Sequence, residues 1–163
     1  VIYTPIYLHT RLGMDMANIL GIIMPIALIP FVVFPYIIGR LADKKFGEKE
    51  MLFFGFVVIG AGTISLSFIH SASLAVWAAA LFITRVGAAF IETLAESYFF
   101  KHVDASGTHV ISFFRNVSSF SYLFSPVVAS AFLSVFDYRY IFAALGAVML
   151  IGLRYSLMLK DTK

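Results

Sequence analysis

The fold class predicted by this sequence is an all-α polytopic membrane protein, a bundle of six transmembrane helices with the first truncated. Three observations predict it. Hydrophobic residues make up 61% of the chain and charged residues only 13%, with a mean hydropathy of +0.94. Soluble domains carry about 45–50% apolar and 25% charged residues, and a water-soluble fold of this size could not hide so much apolar surface. Apolar runs of about 20 residues, enough to cross roughly 30 Å of hydrocarbon, recur along the chain with short polar breaks between them. Val57 to Leu66 and Ile141 to Leu153 are apolar or small without interruption, whereas a membrane β-barrel strand alternates polarity over about 10 residues.

The chain opens at Val1, and its first apolar stretch ends at Leu8, too short to span a bilayer. No charged segment precedes it and no small-residue cleavage site follows, so it does not read as a signal peptide. Residues 1–10 read as part of a helix, and the chain as a fragment of something longer. A polar turn at Arg11 to Asp15 leads into a second helix, 16–38, that carries Pro25, Pro30 and Pro35. Each proline removes a backbone donor, so kinks are expected. A charged loop, 39–50, precedes the third helix, 51–69, whose Gly55, Gly60 and Gly62 predict a packing face on one side. Helices at 74–100, 110–135 and 140–159 complete a single transmembrane domain.

Lys and Arg flanking the spans set the orientation. Arg40, Lys44, Lys45, Lys49, Lys101, Lys160 and Lys163 fall on one side, against Arg11 and Arg139 on the other. The 39–50 loop and the C-terminus are therefore expected in the cytoplasm. The net charge of +3 sits at the ends of apolar runs, which fits contact with anionic lipid and argues against nucleic-acid binding. The chain has no cysteine, so neither a disulfide framework nor a thiolate metal site is available. His9, His70, His102 and His109 lack metal-ligand spacing, and there is no nucleophile elbow, phosphate-cradling loop or His-Glu-x-x-His helix. Neither a cofactor nor enzymatic chemistry is expected.

The densest charge lies in Gly39-Arg40-Leu41-Ala42-Asp43-Lys44-Lys45-Phe46-Gly47-Glu48-Lys49-Glu50. From charge alone it is a solvated turn that fixes topology. Its order resembles motif A of the major facilitator superfamily, in which a Gly, a small-Leu-small stretch, an Asp, basic residues and another Gly join two helices. Gly47 falls four residues after Asp43 where the family has three, and Glu48 stands where a basic residue is common. The resemblance implies a cytoplasmic gate formed by Gly39, Leu41, Asp43, Lys44 and Gly47, with Gly39 permitting close helix approach and Gly47 turning the chain.

The fourth helix carries Arg85 near its middle, where a charge costs from a few to more than 10 kcal/mol and should face a cavity or a partner. Arg85-Val86-Gly87 also loosely resembles an Arg-x-x-Gly pattern of the same superfamily, although here the Gly follows after two residues. Glu92 and Glu96, spaced i, i+4, share roughly one helical face with Arg85. Glu92 is the better candidate for ion coupling; Glu96 is a pathway or coupling candidate that lies near the interface within reach of Lys101, where an ion pair is expected, and the resemblance equally allows it to be the acidic partner of a basic motif residue. On the fifth helix Ser112, Arg115 or Asn116, Ser119, Tyr122, Pro126 and Ser130 form a polar stripe that either lines a path or bonds neighbouring helices, with Arg115 the pathway candidate.

Six short-looped helices with a motif A-like segment after the second resemble the C-terminal half of a major facilitator transporter. That resemblance implies alternating access for a small solute, with protons as the candidate coupling ion. The expected partners are the lipid bilayer, the substrate and an N-terminal six-helix half. The expected location is the cell membrane. A non-transporting receptor or assembly factor on the same scaffold, and a self-dimerising six-helix transporter, remain open alternatives.

Overall fold

In the computed structural model, residues 3–44, 47–103 and 108–159 are described, without the side chains of Asp43, Lys44 and Thr108. The first helix, α1, spans Tyr3–Leu12. Gly13 stops it in the left-handed region at φ 66°, a conformation that suits glycine. The Met14 N–H then bonds back to the Leu8 carbonyl at 3.1 Å, and the His9 Nδ1–H donates to the Met14 carbonyl at 2.8 Å.

Helix α2 begins at Met16–Asn18, passes through a π-helical turn at Ile19–Ile23 and continues as Met24–Lys44. The π turn lies directly before Pro25, and the Met24 N–H bonds to the Ile19 carbonyl five residues back. Widening the helix here accommodates a ring that would otherwise press on the preceding turn. Pro30 and Pro35 lie inside the helix without ending it.

Helices α3 (Glu48–Leu66), α4 (Leu74–His102), α5 (Thr108–Leu133) and α6 (Tyr138–Met158) follow. No strand occurs among the described residues. By length and composition, α2 to α6 can each cross a membrane. Their exposed apolar side chains, among them Val32, Leu123 and Ile151, suit contact with lipid. This is an integral membrane protein.

The segment expected as a loop over 39–50 is mostly helix. Residues 39–44 extend α2, and 48–50 form the first turn of α3. Arg40, Leu41, Ala42 and Lys44 are good helix formers, and Ala42 and Leu41 pack with Ile38, Met51, Leu52 and Leu94 in an apolar cluster. Charge alone did not mark a break.

Helix α3 is the centre of the bundle, packed on α4 along one side and α6 along another, while α2 packs on α4. Glycines make both α3 contacts possible, and on two sides rather than the single side expected from sequence. A Cβ built on Gly87 of α4 would lie 2.5 Å from the Ile59 nitrogen and 2.9 Å from the Gly55 carbonyl oxygen. One on Gly146 of α6 would meet the Gly60 carbonyl oxygen at 2.7 Å. Close backbone approach of this kind replaces the hydrophobic drive that lipid does not supply. Gly55 and Gly62 both face α4, whereas Gly60 faces α6.

A second cluster fills the opposite end of the bundle. Tyr7, Leu8, Ile19, Ile23, Leu66, Trp77 and Phe142 are buried there, with the Tyr7 ring 5.3 Å from Phe142 and 5.8 Å from Trp77 in edge-on contacts. The Trp77 Nε1–H is satisfied by the Ser71 carbonyl at 2.8 Å, as a buried indole requires.

Helix α5 is the exception. None of its most apolar stretch is buried within the chain, and it is held by few contacts. Phe114 stacks on Phe99 at 4.0 Å, and the Tyr3 hydroxyl donates to the Pro126 carbonyl at 2.9 Å.

Candidate functional site

Two places on this scaffold hold charge in positions that need explaining, the middle of α4 and the end of the bundle where α3 begins. Arg85 lies eleven residues into α4, roughly 16 Å along the axis from Leu74 at 1.5 Å per residue. It is half-buried. Gly87 and Thr84 belong to the buried face that contacts α3. Two residues of α-helix rotate by about 200°, so pinning Gly87 against α3 turns Arg85 away from the core. On that side Tyr122 of α5 lies in its neighbourhood. No carboxylate among the described residues pairs with it.

Glu92 and Glu96 are exposed, and neither forms an ion pair among the described residues. Lys101, expected to pair with Glu96, instead lies 2.9 Å from Oε1 of Glu48. Arg115 and Asn116 are exposed on α5 without a partner in the described part of the chain. Ser112, Ser119, Tyr122 and Ser130 are likewise exposed, so among the described residues the side chains of the polar stripe bond no neighbouring helix, and its one link to another helix is the Pro126 carbonyl, which accepts from Tyr3 of α1. Of the residues singled out in sequence, the structure places Arg85 and Tyr122 near each other.

At the start of α3, Glu48 is buried to 4% exposure. The Ser97 hydroxyl donates to its Oε1 at 2.9 Å, and Lys101 approaches the same oxygen at the same distance. The carboxylate thus sits in the first turn of α3, and its partners in the last turns of the antiparallel α4. Each charge also favours the helix end it occupies, the acid at an N-terminus and the base at a C-terminus. In sequence Glu48 stands out only as a departure from a basic position. The available signal was an acid one residue after the Gly47 cap and a base closing the next antiparallel helix, two groups that a helical hairpin brings to one end.

The gate residues expected from sequence are placed as follows. Gly39 lies inside α2 with open space around it among the described residues, so it provides no close approach to any of them. Gly47 caps α3 at φ −63° and ψ 159°, an extended conformation open to any residue; it turns nothing through glycine's special freedom. Leu41 packs in the apolar cluster with Ile38 and Ala42. The side chains of Asp43 and Lys44 lie outside the described residues, as do Lys45, Lys160 and Lys163 entirely.

The Major Facilitator Superfamily model matches residues 1–162, nearly the whole chain. The chain belongs to the major facilitator superfamily. This membership and the helical spans together make it a member of a family of membrane transporters. No curated protein and no solved structure matches the chain, so the family assignment stands on the family model.

Proposed function

We propose that this major facilitator chain is one six-helix half, the C-terminal one, of a secondary active transporter. It moves a small solute by alternating access, two halves rocking about a site near the bilayer midplane. The observation that carries this reading is Arg85, a cation near mid-span, turned out of the packed core toward α5 and paired with no carboxylate among the described residues. A charge at that depth is expensive unless it faces a water-filled cavity or a partner. A substrate path supplies both.

The uncovered α5, with Tyr122 and Asn116 on its surface, supports a second half that packs across it and completes the path. In this reading the Lys-rich end, with the α2–α3 junction, faces the cytoplasm. Asp43 forms the gate there, in a charged latch that is made in one conformation and broken in the other, beside the Glu48–Lys101 pair, which stays made. Glu92 couples transport to protons, and the protein resides in the cell membrane.

The test is uptake by cells expressing the complete gene, offered a panel of labelled sugars, amino acids and organic acids. Arg85→Gln should abolish accumulation of whichever solute the wild type takes up, with membrane insertion unchanged. Equal uptake by the two would remove Arg85 from the path.

A further inference from the structure

At the end of the bundle opposite Glu48, three helix ends surround a cavity of about 500 Å³. Arg11 from α1, Ser67 and Phe68 from the end of α3, and Asp137, Arg139 and Tyr140 at the start of α6 line it. Its polar groups are held in place. Arg11 Nη2 lies 3.4 Å from Asp137 Oδ2, both side chains about half exposed. Asp137 Oδ1 accepts from the Arg139 N–H at 3.3 Å, capping α6. The Ser67 hydroxyl donates to the Arg139 carbonyl at 3.0 Å, which ties the first turn of α6 to the end of α3.

Asp137 is therefore engaged by Arg11 and by its own helix end, whereas the Arg139 guanidinium makes no ion pair with any described residue. Two arginines against one aspartate leave the cavity with one surplus positive charge. Its surroundings are those of a membrane interface. Phe68 and Tyr140 are 73% and 62% exposed at its rim, as aromatic residues are at headgroup level. From Tyr140 an exposed apolar row runs along α6 through Val148 and Ile151 to Tyr155.

We propose that this cavity holds the headgroup of a singly anionic phospholipid, with its phosphate between Arg11 and Arg139 and its acyl chains along the exposed row of α6. Guanidinium groups bind phosphate oxygens in pairs through their planar fork. Charge selects among headgroups. A headgroup of charge −1, such as phosphatidylglycerol, neutralises the surplus, whereas the zwitterionic phosphatidylethanolamine and phosphatidylcholine leave it in place. The apolar row gives a soluble phosphate no comparable contact.

The experiment is native mass spectrometry of the complete protein from micelles doped with phosphatidylglycerol, phosphatidylethanolamine or phosphatidylcholine. Phosphatidylglycerol should be retained in preference to both zwitterions. Arg139→Gln, an exposed substitution, should weaken that retention about tenfold, the scale of one charge-assisted hydrogen bond. Asp137→Asn should strengthen it, because asparagine still caps α6 while the surplus charge rises. An unchanged thermal unfolding midpoint for both variants separates lost binding from lost fold. Equal retention of the three lipids, or indifference to Arg139→Gln, overturns the proposal. Competition by millimolar glycerol 1-phosphate as effective as that by the lipid would also overturn it, by assigning the site to a soluble anion.

Discussion

Replacing Gly87 by alanine tests the packing that orients Arg85. The added Cβ would lie 2.5 Å from the Ile59 nitrogen, 2.9 Å from the Gly55 carbonyl oxygen and 3.0 Å from the Ile59 Cα. All three atoms are backbone, so no side-chain rotation relieves the contact. Restoring an ordinary separation of roughly 3.3 Å requires α4 and α3 to part by about 0.8 Å, against the dense packing that holds them. Overpacking of this kind costs about 1–3 kcal/mol, or roughly 2–12 °C in melting temperature on the scale of a domain this size. Gly39→Ala is the matched control, with nothing within 4 Å of its Cβ and a mid-helix position where alanine is favoured by about 1 kcal/mol. Melting of the complete protein in detergent, followed by fluorescence-detected size exclusion, would read both. Gly87→Ala should melt earlier and transport poorly, because Arg85 moves with α4, while Gly39→Ala should melt no earlier than wild type. Should Gly87→Ala match the wild type, or Gly39→Ala prove the more damaging, the reasoning from glycine contacts fails.

Three further substitutions probe the charged groups. Lys101→Met removes the cation that lies 2.9 Å from the buried Glu48 carboxylate, and should destabilise by about 1–3 kcal/mol after allowing for the 42% exposure of the lysine; a melting curve identical to wild type would reduce the pair to a surface contact. Asp43→Asn should impair uptake by the complete protein while membrane insertion, followed by surface labelling, stays normal. Glu92→Gln should abolish the dependence of uptake on an imposed proton gradient, and an unaltered response to that gradient would remove Glu92 as the coupling site.

The spans were legible because lipid imposes one requirement on every helix, an apolar run of sufficient length, and that requirement is local. Helix ends were less so. On charge alone α2 ends at Ile38, yet Leu41 and Ala42 keep an apolar stripe in register and the intervening residues favour helix, so the helix runs on to Lys44. The glycines of α3 announced close packing, but which neighbour each one meets depends on how three helices are arranged. A seven-residue step sends Gly55 and Gly62 to α4, and the five-residue step to Gly60 sends it to α6. Arg85 stood out in sequence because a mid-span charge is rare. Glu48 did not, because at a helix start an acid looks solvated, and only the fold shows it covered.

The distribution of packing gives these residues a mechanical context. Helices α2, α3, α4 and α6 are joined through buried side chains and backbone contacts at Gly55–Gly87 and Gly60–Gly146, so a force on one is passed to the others with little slack. A block of this kind moves as a unit, which rigid-body rocking requires. The Glu48–Lys101 pair belongs to the block, linking α3 to α4 at one end, and would therefore hold its shape while contacts across to a second half are made and broken. The polar residues of α5 lie outside the block, on a helix held mainly by an aromatic stack and one hydrogen bond. Arg85 sits at the boundary between the two, fixed to the block through Gly87 and turned toward α5. A shift of α5 relative to the block would change the surroundings of that charge without deforming the core, which suits the role proposed for it, meeting substrate from opposite sides in turn.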